Sequence, residues 1–183
     1  MRIVPSRPSY HAVQFYRDAK SLAETAAKFL MDGVNAGEPI IIVATSVHTA
    51  AILAELGNLG CDTNLARMTG EIQTFDARKM MSSFMVNGRP DPLLFKSNVS
   101  DLLERACAGR APCPVRVYGE IVDLLWQEGN TDGAVRLEIL WNQLASAYEF
   151  SLLCGYAVGH FYKETRDHHG LQSVCEHHSH VIP

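Results

Sequence analysis

One stretch decides the fold of this chain: Val115-Arg116-Val117-Tyr118-Gly119-Glu120. Its alternating β-branched and aromatic residues favour a strand, and Gly119 lets the backbone turn sharply into the helix that follows. In an open α/β sheet, side chains at the carboxyl end of a strand face the crevice where ligands bind. We therefore expect the carboxylate of Glu120 to lie in such a crevice.

Strands and helices alternate on both sides of this stretch. Apolar, β-branched segments predict further strands at residues 11–16, 39–44, 72–75, 150–154 and 180–182. Apolar residues at helical spacing predict helices at residues 18–35, 46–56, 77–86, 94–106, 121–127 and 131–148. Glycine and proline predict a loop at residues 87–92. This order predicts a three-layer α/β fold, in which a mainly parallel central sheet carries helices on both faces.

The composition suits one globular domain. With 183 residues, of which 47% are hydrophobic and 20% charged, the chain can bury a substantial core. We assign residues 10–183 to a single domain and residues 1–9 to an N-terminal extension. The net charge of −4 indicates neither a nucleic acid nor an anionic membrane as a partner. No apolar run approaches the roughly 20 residues that a membrane span needs.

The N-terminus and the cysteines indicate a cytoplasmic protein. Residues 1–10 contain arginines and prolines but no apolar signal core. The five cysteines form no CxxC pair, and their odd number favours reduced thiols. Cys154 lies in an apolar stretch and is most simply a small buried residue. We therefore expect a cytoplasmic location and free thiols.

Residues 43–49 decide whether the chain carries a nucleotide site, because a predicted strand passes into a helix there. A phosphate-binding loop needs glycines for its backbone shape and a lysine that reaches the phosphates. This turn contains neither. The free N–H groups of the helix N-terminus could still receive an anion, but we expect no ATP hydrolysis.

A second set of polar residues surrounds the central strand and a later helix. Glu120 and Asp123 follow the strand. Glu138, Trp141 and Asn142 share one helical face, because they are spaced by three and four residues. A carboxylate and an amide beside an indole could line a small-molecule pocket. They could equally form a buried polar network that ties the helix to the sheet, and both interpretations stay open.

The end of the chain is rich in possible metal ligands: His160, His168, His169, Cys175, His177, His178 and His180. Imidazoles and thiols bind zinc and other soft metals. Their spacing matches no closed four-ligand pattern, and a solvated polar tail accounts for most of them, so we assign no metal. Of the other histidines, His11 starts a strand and His48 lies in the first turn of a helix, and either could face the crevice. The chain also lacks a GxSxG elbow, and we predict neither a catalytic residue nor a cofactor.

Six short motifs follow one another along the chain. They are His11-x-x-x-Phe15-Tyr16, Gly37-Glu38, Tyr118-Gly119-Glu120-x-x-Asp123-Leu124-Leu125-Trp126, Leu137-Glu138-x-x-Trp141-Asn142-x-Leu144, Leu152-Leu153-Cys154-x-Tyr156 and Cys175-x-x-His178-Ser179-His180-Val181-Ile182. In this order they resemble the MEDS family, the methanogen/methylotroph DcmR sensory domain. The resemblance covers nearly the whole chain, from about Tyr10 to Pro183.

The resemblance implies a degenerate relative of RecA/KaiC-type ATPase domains with an eroded P-loop. Glu120 would stand where a Walker-B acid ends its strand, and residues 45–49 would be the eroded Walker-A turn. Family members are associated with signalling and are proposed to sense small molecules, with hydrocarbon derivatives such as halogenated methanes suggested for some. They are often fused to histidine kinase, PAS or DNA-binding modules. No such segment follows here, so we expect output through a separate partner or a homo-oligomeric surface.

The leading hypothesis is therefore a non-enzymatic, cytoplasmic sensory domain. A small ligand would bind at the carboxyl ends of the strands, and the domain would relay this to a histidine kinase or a transcription regulator. The predicted ligand-binding residues are Thr45, His48, Tyr118, Glu120, Glu138, Trp141 and Asn142. The alternatives are a ligand-free protein–protein adaptor, a residual nucleotide-binding protein, and a zinc-binding protein that uses Cys175 and His178.

Overall fold

A computed structural model describes residues 10–161 and 169–182 of the chain. The strands are β1 Tyr10–Tyr16, β2 Ile40–Ala44, β3 Ile72–Asp76, β4 Met85–Val86, β5 Arg89–Pro90, β6 Val115–Gly119, β7 Phe150–Ala157 and β8 His180–Ile182. The helices are α1 Ala19–Ala36, α2 Ser46–Asn58, α3 Thr63–Met68, α4 Ala77–Phe84, α5 Pro92–Cys107, α6 Ile121–Gln127, α7 Thr131–Leu144 and α8 His169–Glu176. The predicted extension, residues 1–9, and His168 lie outside the described residues.

Six strands form one parallel sheet in the order β3-β2-β6-β7-β1-β8. Apolar side chains from α1 and α2 cover one face, and those from α4, α5, α6 and α7 cover the other. Parallel sheets are covered in this way because crossover helices lie on both faces. The predicted three-layer α/β fold is confirmed, whereas its likeness to RecA and KaiC stays a prediction.

The centre of the sheet follows from the most apolar segments of the chain. All five residues of β2 are buried, as expected for a β-branched run with a helix layer on each face. Strand β6 pairs with β2 on one side and with β7 on the other. No helix within the described ranges combines the length and hydropathy that a membrane crossing requires.

The start of α1 follows the sequence signal closely. Asp18 accepts a hydrogen bond from the backbone N–H of Ser21 at 2.8 Å, and the Ser21 hydroxyl lies 3.3 Å from the Asp18 backbone N–H. This capping box satisfies backbone donors that a helix N-terminus leaves free. Gly37, with φ of 71°, ends the helix in the left-handed region that glycine tolerates best.

Four elements differ from the prediction. The short helix α3 buries none of its residues, so no apolar stripe marks it in the sequence. Helix α4 ends at Phe84, because β4 and β5 form a hairpin whose turn places Asn87 and Gly88 at positive φ. Strand β7 continues to Ala157, three residues past its predicted end, and α7 ends at Leu144.

Cys107 and Cys113 form a disulfide between the end of α5 and the approach to β6. The expectation of free thiols is therefore wrong for this pair. Sequence spacing alone did not indicate it, because the two residues meet only after α5 turns back towards the sheet. Cys61, Cys154 and Cys175 are free, and Cys154 is buried as predicted.

Arg116 fastens the central strand to α1. Its Nε donates to Glu38 at 2.7 Å and its Nη1 donates to the backbone oxygen of Phe29 at 3.1 Å, while the guanidinium lies 5.0 Å from the Phe29 ring centre. Gly33 makes room for this arrangement. A Cβ there would lie 2.8 Å from Arg116 Cδ and 2.9 Å from Ile40 Cδ1.

We expect Gly33→Ala to lower the free energy of unfolding by about 1–2 kcal/mol. Overpacking costs about 1–3 kcal/mol, and the gain in helix propensity, about 1 kcal/mol, offsets part of it. The matched control is Gly57→Ala in α2, where a Cβ meets nothing within 4 Å, and we expect that variant to be as stable as the parent or more stable. Urea unfolding of both variants measures the difference. Equal stabilisation of the two would contradict the prediction, because it would mean that the Arg116 side chain moves aside without a measurable cost in stability.

Candidate functional site

The direction in which the chain adds its next strand to the sheet reverses between β2 and β6. After β2 the chain continues to β3 on one side, and after β6 it continues to β7 on the other. A parallel α/β sheet opens a crevice at such a switch point, at the carboxyl ends of the two strands. Thr45 and Glu120 follow these two strands and therefore lie at this switch point.

Glu120 bridges the switch point. Its side chain is buried, and Oε1 accepts a hydrogen bond from the backbone N–H of Thr45 at 2.6 Å. Oε2 lies 2.6 Å from Nδ1 of His48 and 3.5 Å from the hydroxyl of Tyr118. Four of the predicted residues thus meet at one carboxylate, although they come from two separate parts of the chain, residues 45–48 and residues 118–120.

The contact with Glu120 changes the pKa of His48. Its hydrogen bond to Glu120 is the main reason why the pKa of His48 is raised above its ordinary value, and the charge of the carboxylate adds to the effect. Burial acts in the opposite direction but is outweighed. The contact therefore favours the imidazolium form of His48 against the buried carboxylate.

Asp123 is a second buried carboxylate at the same edge of the sheet. It accepts hydrogen bonds from the Tyr16 hydroxyl at 2.9 Å and from the Ala157 backbone N–H at 3.0 Å. Its other partners are His160 Nδ1, at 2.8 Å, and Gln127, which donates at 3.1 Å. Burial, together with the Asp123 charge, raises the pKa of Tyr16 well above its usual range. The two carboxylates are linked by an edge contact between the rings of Tyr16 and His48, whose centres are 5.8 Å apart.

Tyr16 and His160 were not among the predicted binding residues. A signal for Tyr16 was available, because it ends the first predicted strand and therefore reaches the same edge as Glu120. His160 follows β7 in a 3₁₀ turn, Val158–His160, that extends beyond the predicted end of that strand. Since the strand was predicted to end at residue 154, the edge position of His160 could not be seen in the sequence.

The N-terminus of α2 is already occupied by an anion of the chain itself. Thr45 is the N-cap of α2, and its backbone N–H donates to Glu120 rather than standing free. A helix N-terminus attracts anions through its free N–H groups and its dipole, and nucleotide phosphates commonly bind there. The buried carboxylate of Glu120 takes that position.

Glu138 and Asn142 lie on the other side of the sheet. Glu138 is completely buried in α7, and its Oε1 accepts a hydrogen bond from the Tyr156 hydroxyl at 2.9 Å. Asn142 contacts His11 Nδ1 at 2.9 Å through Oδ1. These two predicted residues therefore belong to a second polar group, separate from Glu120. For Glu138 and Asn142 the structure shows a buried polar network, whereas the small-molecule pocket stays a prediction.

Trp141 joins neither polar group. Its indole packs edge-on against Phe95, with ring centres 5.1 Å apart, and against Phe150 at 5.7 Å. Phe150 pairs with Val115 at the amino end of β6, whereas Glu120 follows the carboxyl end of that strand. The structure therefore places the Trp141 ring in the apolar core at the far end of the strands.

Glu138 and three side chains around it carry donor atoms that suit a metal: His11, Glu138, Cys154 and His178. One ligand atom from each lies within 4.8 Å of all the others. Burial alone would raise the pKa of Glu138, but the neighbouring imidazoles of His11 and His178 lower it well below its usual range. Burial raises the pKa of the Cys154 thiol, and the Glu138 charge adds to this. Of the two tail residues proposed for zinc, His178 belongs to this group and Cys175 does not.

We expect the coupling free energy between His48 and Glu120 to decline as the pH rises. A pKa that is raised in the folded state stabilises the fold fully below the unfolded value, about 6.5, and loses this contribution as the pH rises through the folded value. A double-mutant cycle with His48→Gln and Glu120→Gln measures the coupling by urea unfolding. We expect on the order of 2 kcal/mol near pH 6. A coupling that does not change with pH would contradict an ionic pair.

Comparison with protein families identifies the family of this chain. The family model for the MEDS domain, the MEthanogen/methylotroph, DcmR Sensory domain, matches residues 10–178. No curated protein matches the chain. The matched segment runs from the first residue of β1 to His178 and includes both polar groups around Glu120 and Glu138. Because the family model covers nearly the whole chain, this protein belongs to the MEDS sensory-domain family.

Proposed function

We propose that this domain binds a small molecule in the crevice between β2 and β6 and relays its occupancy to a partner protein. Membership of the MEDS family indicates a sensory or signalling role. The observation that carries the proposal is the pair of buried carboxylates, Glu120 and Asp123, at the switch point of the sheet. Buried carboxylates are held at a cost, and their concentration at a crevice is typical of a functional site.

Hydrogen bonding at this edge favours recognition over catalysis. Both carboxylates are held by protein donors: Thr45, His48 and Tyr118 for Glu120, and Tyr16, His160, Gln127 and the Ala157 amide for Asp123. A general base needs an oxygen that is free to receive a proton from a substrate. Carboxylates engaged in this way instead give neighbouring side chains fixed positions, which a binding site requires.

The Glu120 carboxylate at the N-terminus of α2 disfavours negatively charged ligands. A phosphate would have to displace the Glu120 carboxylate and would meet its negative charge, and the turn offers neither glycines nor a lysine. An uncharged molecule avoids this repulsion. Tyr16 and Tyr118 bring aromatic rings as well as hydroxyl groups to this edge. These features support a small hydrocarbon derivative with one polar group as the ligand.

A relay requires that the ligand bind two states of the domain with different affinities. Helix α2 is suited to change position, because Glu120 holds its first turn through Thr45 and His48. A ligand that competes for these groups would release or reposition α2. Val47 on α2 and Met68 on α3 expose apolar side chains that a partner could contact. The partner that binds this surface in one of the two states would be a histidine kinase, a transcription regulator or a second copy of the chain.

The proposal is tested by titrating the ¹⁵N-labelled protein with dichloromethane and with methanol as probes. We expect saturable amide shifts at Thr45, His48 and Glu120 with at least one of them. Glu120→Gln should weaken this binding roughly tenfold, or about 1.4 kcal/mol, because it removes the charge that orders His48. The matched control is Glu128→Gln, since Glu128 is an exposed carboxylate paired with Arg78, and its affinity should equal that of the parent.

The titration also separates the alternatives. If neither probe shifts these amides, and Glu120→Gln lowers the melting temperature alone, the carboxylates are structural and a ligand-free adaptor role gains support. ATP serves as a third probe. Saturable binding or turnover of ATP would overturn the argument from the occupied helix N-terminus.

A further inference from the structure

Glu138 and the three possible metal ligands around it come from four separate parts of the chain. His11 lies in β1, Glu138 in α7, Cys154 in β7, and His178 between α8 and β8. Their separation in sequence explains why no closed ligand spacing is visible. Three of the residues are buried, and the side chain of His178 is also completely covered. The group is therefore shielded from water on all sides.

The distances between neighbouring donor atoms, which involve both oxygens of Glu138, are close to those between the ligands of a tetrahedral metal ion. Glu138 Oε2 lies 3.1 Å from His11 Nε2 and 3.6 Å from Cys154 Sγ, and Glu138 Oε1 lies 3.4 Å from His178 Nε2. His11 Nε2 and Cys154 Sγ are 3.4 Å apart. Metal–ligand bonds of 2.0–2.3 Å in tetrahedral geometry separate the ligand atoms by roughly 3.3–3.8 Å.

Hydrogen bonds outside this group fix the tautomers of both histidines. Nδ1 of His178 lies 2.7 Å from the backbone oxygen of Val174, which can only accept. The amide of Asn142 donates through Nδ2 to the His177 oxygen at 2.9 Å, so its Oδ1 faces His11 Nδ1. Both Nδ1 atoms therefore carry the proton. A neutral imidazole then presents a lone pair at Nε2.

When both imidazoles are neutral, lone pairs face one another inside the group; when an imidazole is protonated, its Nε2–H donates to the Glu138 carboxylate instead. Nε2 of His11 and Nε2 of His178 point at Glu138, whose oxygens can only accept when ionised. The buried Nε2 of His178 has no hydrogen-bond partner among the described residues. Buried polar atoms without partners are rare in native proteins and indicate an unseen ion or water. A cation at the centre would satisfy every lone pair at once.

We propose that His11, Glu138, Cys154 and His178 bind one zinc ion. Zinc takes four nitrogen, sulfur and oxygen ligands in tetrahedral geometry, and a thiolate favours it over magnesium or calcium. Cys154 releases its proton to solvent on binding. The charge of the ion, +2, is then balanced by one thiolate and one carboxylate, and the buried site is neutral overall. Asn142 and the Val174 oxygen hold the two imidazoles in the manner of outer-shell partners.

The site has a structural role, because all four positions are filled by protein and none is open to a substrate. Its consequence is to fasten the C-terminal segment, α8 and β8, to the sheet. His178 immediately precedes the residues that pair with β1, where Ala12 lies beside His180. Loss of the ion should therefore loosen β8 first. This inference is independent of the ligand proposed for the crevice at Glu120.

Metal content and cobalt substitution test the proposal. The untagged full chain, as purified, should contain one zinc per chain by elemental mass spectrometry. After removal of zinc with a chelator under unfolding conditions, refolding with Co²⁺ should produce the visible bands of tetrahedral cobalt and a thiolate-to-cobalt charge-transfer band. Cys154→Ser should abolish the charge-transfer band. Cys175→Ser is the matched control, since Cys175 is a free thiol near the same segment, and it should keep the band.

A second variant covers the case in which Cys154→Ser fails to fold. Asn142→Ala leaves all four ligands in place but removes the group that orients His11, and it should weaken zinc affinity about 10–100-fold in competition with a chromophoric chelator. His177→Ala is its control, because the His177 contact to Asn142 uses the backbone oxygen. A natively folded parent without cobalt bands, a band that survives in Cys154→Ser, or unchanged affinity in Asn142→Ala would overturn the proposal.

Discussion

The complete burial of the Glu138 carboxylate is the constraint on which much of this structure depends. A carboxylate without water costs several kcal/mol unless positive charge or hydrogen bonds compensate it. Glu138 lies in the middle of α7, and its compensation comes from β1, β7 and the segment before β8. These elements must therefore meet at one point. The docking of α7 on the sheet and the position of the C-terminal strand are two results of the same requirement.

The same constraint is met differently at the carboxyl edge of the sheet. Glu120 and Asp123 are compensated by hydroxyl, imidazole and backbone donors of the chain, without convergence of several lone pairs. This difference underlies the two proposals, a zinc ion for the group at Glu138 and a small molecule for the group at Glu120. Two tyrosines mark the two groups on opposite faces of the sheet: Tyr118 reaches Glu120, and Tyr156 reaches Glu138.

Close packing connects these faces through a glycine. Tyr118 lies against Gly155 of β7, where a Cβ would come within 3.2 Å of the Tyr118 ring carbon Cζ. Gly155 stands between Cys154 and Tyr156, both of which contact Glu138. The strand that supplies a proposed zinc ligand therefore also determines where the Tyr118 ring lies. The two polar groups therefore both contact this short segment of β7.

Local sequence signals were sufficient to predict the sheet and the polar group around Glu120. The β-branched run of β2, the cap at Asp18 and the glycine before Glu120 each act within a few residues, so the sequence alone determined the parallel α/β layers and the meeting of Thr45, His48, Tyr118 and Glu120 at one edge. Helix α3 was not predicted from the sequence because it has no apolar stripe. The group of His11, Glu138, Cys154 and His178 was decided by tertiary structure alone, because long-range pairing of β1 with β7 and β8 brings together residues that no spacing rule connects.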